Sequence, residues 1–133
     1  AVRNSGATTV IEGCDSNACE YMTGGLVVIL GEVGDNFGAG MTGGMAFIYD
    51  LNNDFEKKVN PETVIWQTPE TDYWINYLKN LVQEHYEETN SSFSKKIIDN
   101  FDKEISKAFK VLFMHKLSHL KIGNFSDDWV VLL

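Results

Sequence analysis

The sequence predicts a mainly β fold with an α-helical appendage: a parallel β-helix of three to four coils, followed by two antiparallel α-helices. Three observations carry this expectation. Gly6, Gly25 and Gly44 stand nineteen residues apart, and each opens an apolar, β-rich run at residues 7–11, 26–30 and 45–49. The second and third copies share Met-Thr-Gly-Gly outright, at residues 22–25 and 41–44, and Asn17 and Asn36 fall in register as well. Ten of the 11 glycines lie at or before Gly44, so the chain changes character once the repeats end.

A fixed period of this length marks structural units stacked one on the next. Five apolar residues between glycines read as a strand rather than a helix. No Asn-Gly hairpin signal joins the copies, so identical units stacked in one direction pair in parallel, about 4.8 Å apart. The turn glycines Gly6, Gly24, Gly25, Gly43 and Gly44 are expected at corners of positive φ, which other residues resist. A leucine-rich repeat is the competing architecture, but it needs leucine at several fixed positions, and Leu26 and Leu30 alone do not supply them. A fourth, offset rung is expected at Val64-Ile65-Trp66, beyond the polar linker of residues 51–60.

Residues 73–89 carry Trp74, Leu78, Leu81, Val82 and His85 at helical spacing, with Asp72 or Thr71 as N-cap. A second helix starts near Ser92, with an apolar stripe of Ile97, Ile98, Phe101, Ile105, Ala108, Phe109 and Leu112. The short Asn90-Ser91 turn makes the two helices antiparallel neighbours. Residues 113–120 are expected to extend the second helix, and 129–133 form a short apolar end. The organisation is therefore coils over 1–70, a helical extension packed on them over 71–120, and a tail over 121–133.

Net charge is −8 and the isoelectric point is near 4.7, which excludes non-specific binding to nucleic acid. The first 50 residues contain one basic side chain, Arg3, against six acids. No apolar segment approaches the roughly 20 residues of a membrane span, and no signal-peptide pattern is present. Two cysteines are too few to staple a secreted fold, so a cytoplasmic protein is expected. The first rung begins almost at Ala1, with nothing before Asn4 to form the polar cap that a solenoid end needs. The expectation is a piece of a longer chain, or a chain that self-associates through an exposed first coil.

Several patterns imitate sites. Residues 31–38, Gly-Glu-Val-Gly-Asp-Asn-Phe-Gly, follow a strand as a nucleotide-binding loop does. Such loops work through the free N–H groups of a following helix. Here a glycine-rich stretch follows, no Lys-Ser/Thr appears, and Glu32 and Asp35 repel phosphate, so a solenoid corner is expected. Cys14 and Cys19 lack the further ligands a metal or cluster needs and read as small buried thiols. His115 and His119 stand at i, i+4, but Lys116-Leu117-Ser118 between them lacks the glutamate of a zinc protease, and surface histidines are expected. His85 reads as a core-edge residue. No Ser–His–Asp arrangement or carboxylate pair emerges from spacing.

Ala1-Val2-Arg3-Asn4-Ser5-Gly6-Ala7, Val10-Ile11-Glu12-Gly13 and Cys19-Glu20-Tyr21-Met22-Thr23-Gly24-Gly25 resemble the C-terminal domain of the glutamate synthase large subunit. Asn36-Phe37-Gly38-Ala39-Gly40-Met41-Thr42-Gly43-Gly44 does too, and the similarity continues through Val59-Asn60-Pro61-Glu62 to Phe109-Lys110-Val111. The resemblance implies a right-handed parallel β-helix. It implies a parent enzyme that converts glutamine and 2-oxoglutarate into two glutamates, using NAD(P)H or ferredoxin. Glutamine hydrolysis in that family uses an N-terminal cysteine, and FMN and an iron–sulfur cluster sit in a preceding barrel. It therefore implies no catalytic, cofactor-binding or metal-binding residue in this segment, whose partners are upstream glutamate synthase domains.

Two departures stand out. The family commonly reads Val-Gly-Asp-His-Gly where this chain has Cys14-Asp15-Ser16-Asn17-Ala18, which puts an interface role of that loop in question. After Val111 the chain runs through Leu112-Phe113-Met114-His115 into an unrelated tail. The leading expectation is a non-catalytic structural module that holds amidotransferase and synthase domains in register, present here as a fragment. The alternative is a free-standing oligomerising domain, or a non-functional remnant of a decayed gene. An independent enzyme is weakest, since no activated nucleophile or acid–base pair is identifiable.

Overall fold

The computed structural model describes residues 1–114. The His115/His119 spacing and the apolar end at 129–133 lie outside the described residues. In chain order the elements are β1 (Ser5–Ile11), β2 (Thr23–Ile29), β3 (Gly43–Tyr49), a 3-10 turn (Phe55–Lys57), β4 (Val64–Gln67), α1 (Asp72–Thr89), α2 (Ser92–Asp99), α3 (Phe101–Lys107) and β5 (Phe109–Met114).

The strands form one mixed sheet in the order β1-β2-β3-β5-β4. β1, β2 and β3 run parallel, with Val10 opposite Val28 and Val28 opposite Phe47. β5 then enters antiparallel between β3 and β4, with Phe113 opposite Met45 on one side and Ile65 on the other. This corrects the expected fold class. The parallel β-helix of three to four coils gives way to a single five-stranded mixed sheet with three helices. Val64-Ile65-Trp66 is not a fourth rung on β3; it belongs to β4 and pairs with β5. The reason is physical. The open edge of β3 is satisfied by a strand from outside the repeat, to which a 19-residue period is blind.

The helical region departs from expectation as well. Two helices become three, because Asn100 takes φ −121° and separates α2 from α3. Residues 109–114 are a strand rather than a helix extension. Phe109, Val111 and Phe113 face one core while Leu112 faces the other, the alternation of a strand with both faces covered.

Both faces of the sheet are buried, which explains the unbroken apolar runs of β2 and β3. Leu26, Val28, Leu30, Phe47 and Tyr49 share a core with Leu78 and Val82 of α1, Ile97 of α2 and Phe101 and Ile105 of α3. Val27, Ile29, Ala46 and Ile48 share the other with loop residues Met22, Phe37, Phe55 and Val59. Helices cover one face and loops the other. α1 ends at Asn90, which takes the left-handed conformation at φ 53°, and Ser91 caps α2 by accepting the Ser94 N–H. Among the described residues no helix is long and apolar enough to cross a membrane.

Candidate functional site

The repeats meet the rest of the molecule at their two ends, and the amino end is ordered by backbone geometry. Asn4 Oδ1 accepts the N–H groups of Gly6 and Ala7, while its Nδ2 donates to the Ala7 carbonyl. Gly25 and Gly44 take φ 85° and 83°. A Cβ on Gly25 would stand 2.5 Å from the Ala7 carbonyl oxygen, and one on Gly44 2.5 Å from Met22 Cε and 2.9 Å from the Gly25 carbonyl oxygen. Gly24 and Gly43 have negative φ, but each presses on the preceding strand's backbone, at Ser5 and Thr23 respectively. Gly6 has open space around it. The five turn glycines thus fall into three environments: left-handed corners, close approaches, and a free edge.

Between the strands the loops hydrogen-bond loop to loop. Cys14 N donates to the Glu32 carbonyl, Asn17 N to Asp35, Tyr21 N to Ala39 and Phe37 N to Lys58. Asn36 Nδ2 donates to Asn17 Oδ1 at 2.8 Å, and Asn60 Nδ2 to Asn36 Oδ1 at 3.4 Å. Sequence register finds the first two asparagines. It misses Asn60, because the linker lengthens the spacing.

The nucleotide-loop imitation at 31–38 leads through a turn into β3, with no helix to present free N–H groups. A Cβ at Gly34 would collide with the backbone of Ser16, so this glycine serves loop-to-loop packing. Cys14 and Cys19 are free thiols. Burial pushes the Cys14 thiol up from its ordinary value and the Cys19 thiol up to about 12, so neither is a thiolate nucleophile near neutrality.

At the carboxyl end, Glu12, Gly31 and Asp50 correspond by the 19-residue period and follow β1, β2 and β3, although the irregularity in β1 offsets Glu12 by one residue in the sheet. His85 Nε2 lies 3.1 Å from Glu12 Oε1, tying α1 to the end of β1. Hydrogen bonding to Ser91 first, and to His85 second, holds the Glu12 carboxyl below its ordinary value. Asp50 Oδ1 accepts the N–H groups of Asp54 and Phe55 at 3.0 and 3.2 Å and so fixes the following loop. Glu12, Glu32, Asp50, Asp54 and Lys58 line a cleft of 470 Å³ at this end. Sequence reading met Glu12 in a family-like segment and Glu32 in the imitation nucleotide loop, but assigned none of the five to a cleft; the signal that hints at it is that Glu12 and Asp50 stand two periods apart. Among the described residues no group of three or more His, Cys, Asp or Glu is arranged to hold a metal ion.

The model of the GXGXG motif family matches residues 1–114. The chain belongs to the GXGXG motif family. It is 51% identical over 122 residues to the glutamate synthase [NADPH] large chain of Azospirillum brasilense, covering 92% of this chain and 8% of that protein. It is 46% identical over 112 residues to glutamate synthase [NADH] of Schizosaccharomyces pombe, covering 84% of this chain and 5% of that protein. Against the chloroplastic ferredoxin-dependent glutamate synthase 2 of Arabidopsis thaliana the identity is 48% over 106 residues, 80% of this chain and 6% of that protein. The chain spans less than a tenth of the length of these relatives. This GXGXG chain is thus a domain of the glutamate synthase type, in agreement with the resemblance read from its glycine-marked segments.

Proposed function

We propose that this chain is a structural domain of glutamate synthase, non-catalytic by itself, which fixes the amidotransferase and synthase domains relative to each other. The parent reaction converts glutamine and 2-oxoglutarate into two glutamates, with FMN and the iron–sulfur cluster held by other domains, in the cytoplasm. One observation supports this above the rest. β1 is the outermost strand of the sheet, and four of its seven residues are exposed, while β3 buries all seven. An edge strand of this kind, even with the irregularity between Ser5 and Thr8, offers backbone groups to another strand. In this reading an upstream glutamate synthase segment lies along β1. Self-association through the same edge is the second reading, favoured by the same free strand.

The test uses the parent enzyme carrying this domain. Thr8→Lys places a charge on the exposed part of β1, where charged side chains oppose strand addition. Glutamine-dependent glutamate formation is expected to fall while glutamine hydrolysis persists, so that ammonia is released. An unchanged ratio of the two activities would sink the proposal, as would glutamate formation by the 133-residue chain alone.

A further inference from the structure

We propose that the cleft at the carboxyl ends of β1, β2 and β3 receives an arginine side chain from a part of the glutamate synthase polypeptide outside this chain. The proposal rests on the reading that the chain works joined to the rest of that enzyme.

Two independent observations meet in this cleft. The first is charge: Glu12, Glu32, Asp50 and Asp54 line it against a single cation, Lys58. Lys58 is already committed, its Nζ 2.9 Å from Asp54 Oδ2, and Glu32 forms no salt bridge among the described residues. The second is Asp50 itself. It is only 7% exposed, and although Oδ1 is satisfied by two backbone N–H groups, Oδ2 is buried with no hydrogen-bond partner among the described residues. A buried carboxylate oxygen without a donor is costly, and a donor arriving from outside removes that penalty.

The chemistry favours a guanidinium. The carboxylates are spread around the cleft rather than gathered as metal ligands. The cleft's 470 Å³ far exceeds the roughly 30 Å³ share of one water molecule, and suits a long side chain. Ile48 and Phe93 supply apolar wall for an aliphatic stem. Arginine's rigid fork and weak hydration suit such a buried carboxylate better than a compact ammonium does. Its source follows from length: the chain accounts for 5% to 9% of its relatives, leaving most of the polypeptide to supply it.

The experiment titrates the full 133-residue chain with acetyl-Ala-Arg-Ala-amide, with its citrulline counterpart, and with calcium chloride, following the backbone amides of Asp54 and Phe55 by NMR. The arginine peptide is expected to shift both amides, and the isosteric but uncharged citrulline peptide to bind about tenfold more weakly or worse. Asp50→Asn keeps the Oδ1 acceptor, removes the charge, and is expected to lower arginine-peptide affinity about tenfold. If that variant misfolds, Glu32→Gln decides, with a loss of about threefold supporting the proposal and unaltered affinity overturning it. Equal binding of arginine and citrulline peptides, no shift at the two amides, or calcium acting at lower concentration than the arginine peptide also overturns it. Such a failure leaves the Thr8→Lys test of the scaffold reading intact.

Discussion

β1 and β3 are copies of one repeat, yet β1 leaves four residues exposed and β3 leaves none. β3 has β2 on one side and β5 on the other, helices on one face and loops on the opposite face. Among the described residues β1 has a neighbour on one side only. The repeat therefore encodes strand conformation and parallel direction, while position in the sheet decides how much each copy contributes to stability. A copy at the centre carries core energy; the same copy at the edge is free to carry an interface.

The largest effect that sharpens this contrast comes from truncating equivalent core positions. Phe47 is fully buried and its ring lies 6.0 Å from that of Trp74. Phe47→Ala is expected to cost about 3–5 kcal/mol in denaturant unfolding of the full chain. Val10→Ala, in the edge copy, removes two methyl groups from a half-buried site and is expected to cost about 1 kcal/mol. Equal losses would break the comparison.

The glycines give the next step down. Gly44 combines φ 83° with a Cβ position already occupied by Met22 Cε and the Gly25 carbonyl. Gly44→Ala is expected to destabilise by about 2 kcal/mol, from left-handed strain and displaced neighbours. Gly6→Ala, on the outermost strand with nothing within 4 Å among the described residues, is expected to stay within about 0.5 kcal/mol of wild type. Denaturant midpoints of the two variants measure this directly.

Sequence alone reveals the local half of this molecule. The strands at Gly25 and Gly44, their parallel direction and the helix beginning at Asp72 follow from period, glycine placement and apolar spacing. The global half is hidden, because it depends on segments that lack the repeat. Phe109 and Leu112 continue the stripe of the preceding helix, and a short apolar run cannot be assigned to helix or strand by period alone. Only the vacant edge of β3 decides that these residues become β5, and that choice displaces the expected fourth rung. The carboxyl-end cleft is concealed for a similar reason. Glu12 and Asp50 look like ordinary surface acids until the sheet brings the ends of β1 and β3, on either side of β2, to one cleft.

Tyr49 offers a smaller test at the buried copy. Its hydroxyl donates to Glu104 Oε2 at 2.7 Å, joining the end of β3 to α3. Burial, and then the Glu104 carboxylate, raise the phenol well above its ordinary value of 10.0. A group raised on folding contributes stability that is complete below its unfolded value and disappears as pH climbs toward its folded one. Unfolding is thus expected to become easier above pH 10, and Tyr49→Phe is expected to lose about 1 kcal/mol at neutral pH together with that alkaline sensitivity. Denaturant midpoints of both proteins from pH 7 to 11 check both parts; parallel curves would remove Tyr49 as the cause.

The smallest effect belongs to the edge copy. Glu12 follows β1 and meets His85 of α1 at 3.1 Å, a side-chain link from the end of that strand to the helical layer. Glu12 is lowered from its ordinary value of 4.5 by hydrogen bonds from Ser91 and His85, so its contribution is present above that value and fades as pH falls through the folded one. Because the carboxylate is largely exposed, solvent screening limits the gain, and Glu12→Gln is expected to cost only about 0.2–1 kcal/mol near pH 6. The gap between wild type and variant should narrow below pH 4.5 and shrink when salt is raised. A gap that persists under acid would mean that β1 is held by packing alone. The contrast between a tethered edge and a buried centre would then have to rest on Phe47 and Gly44.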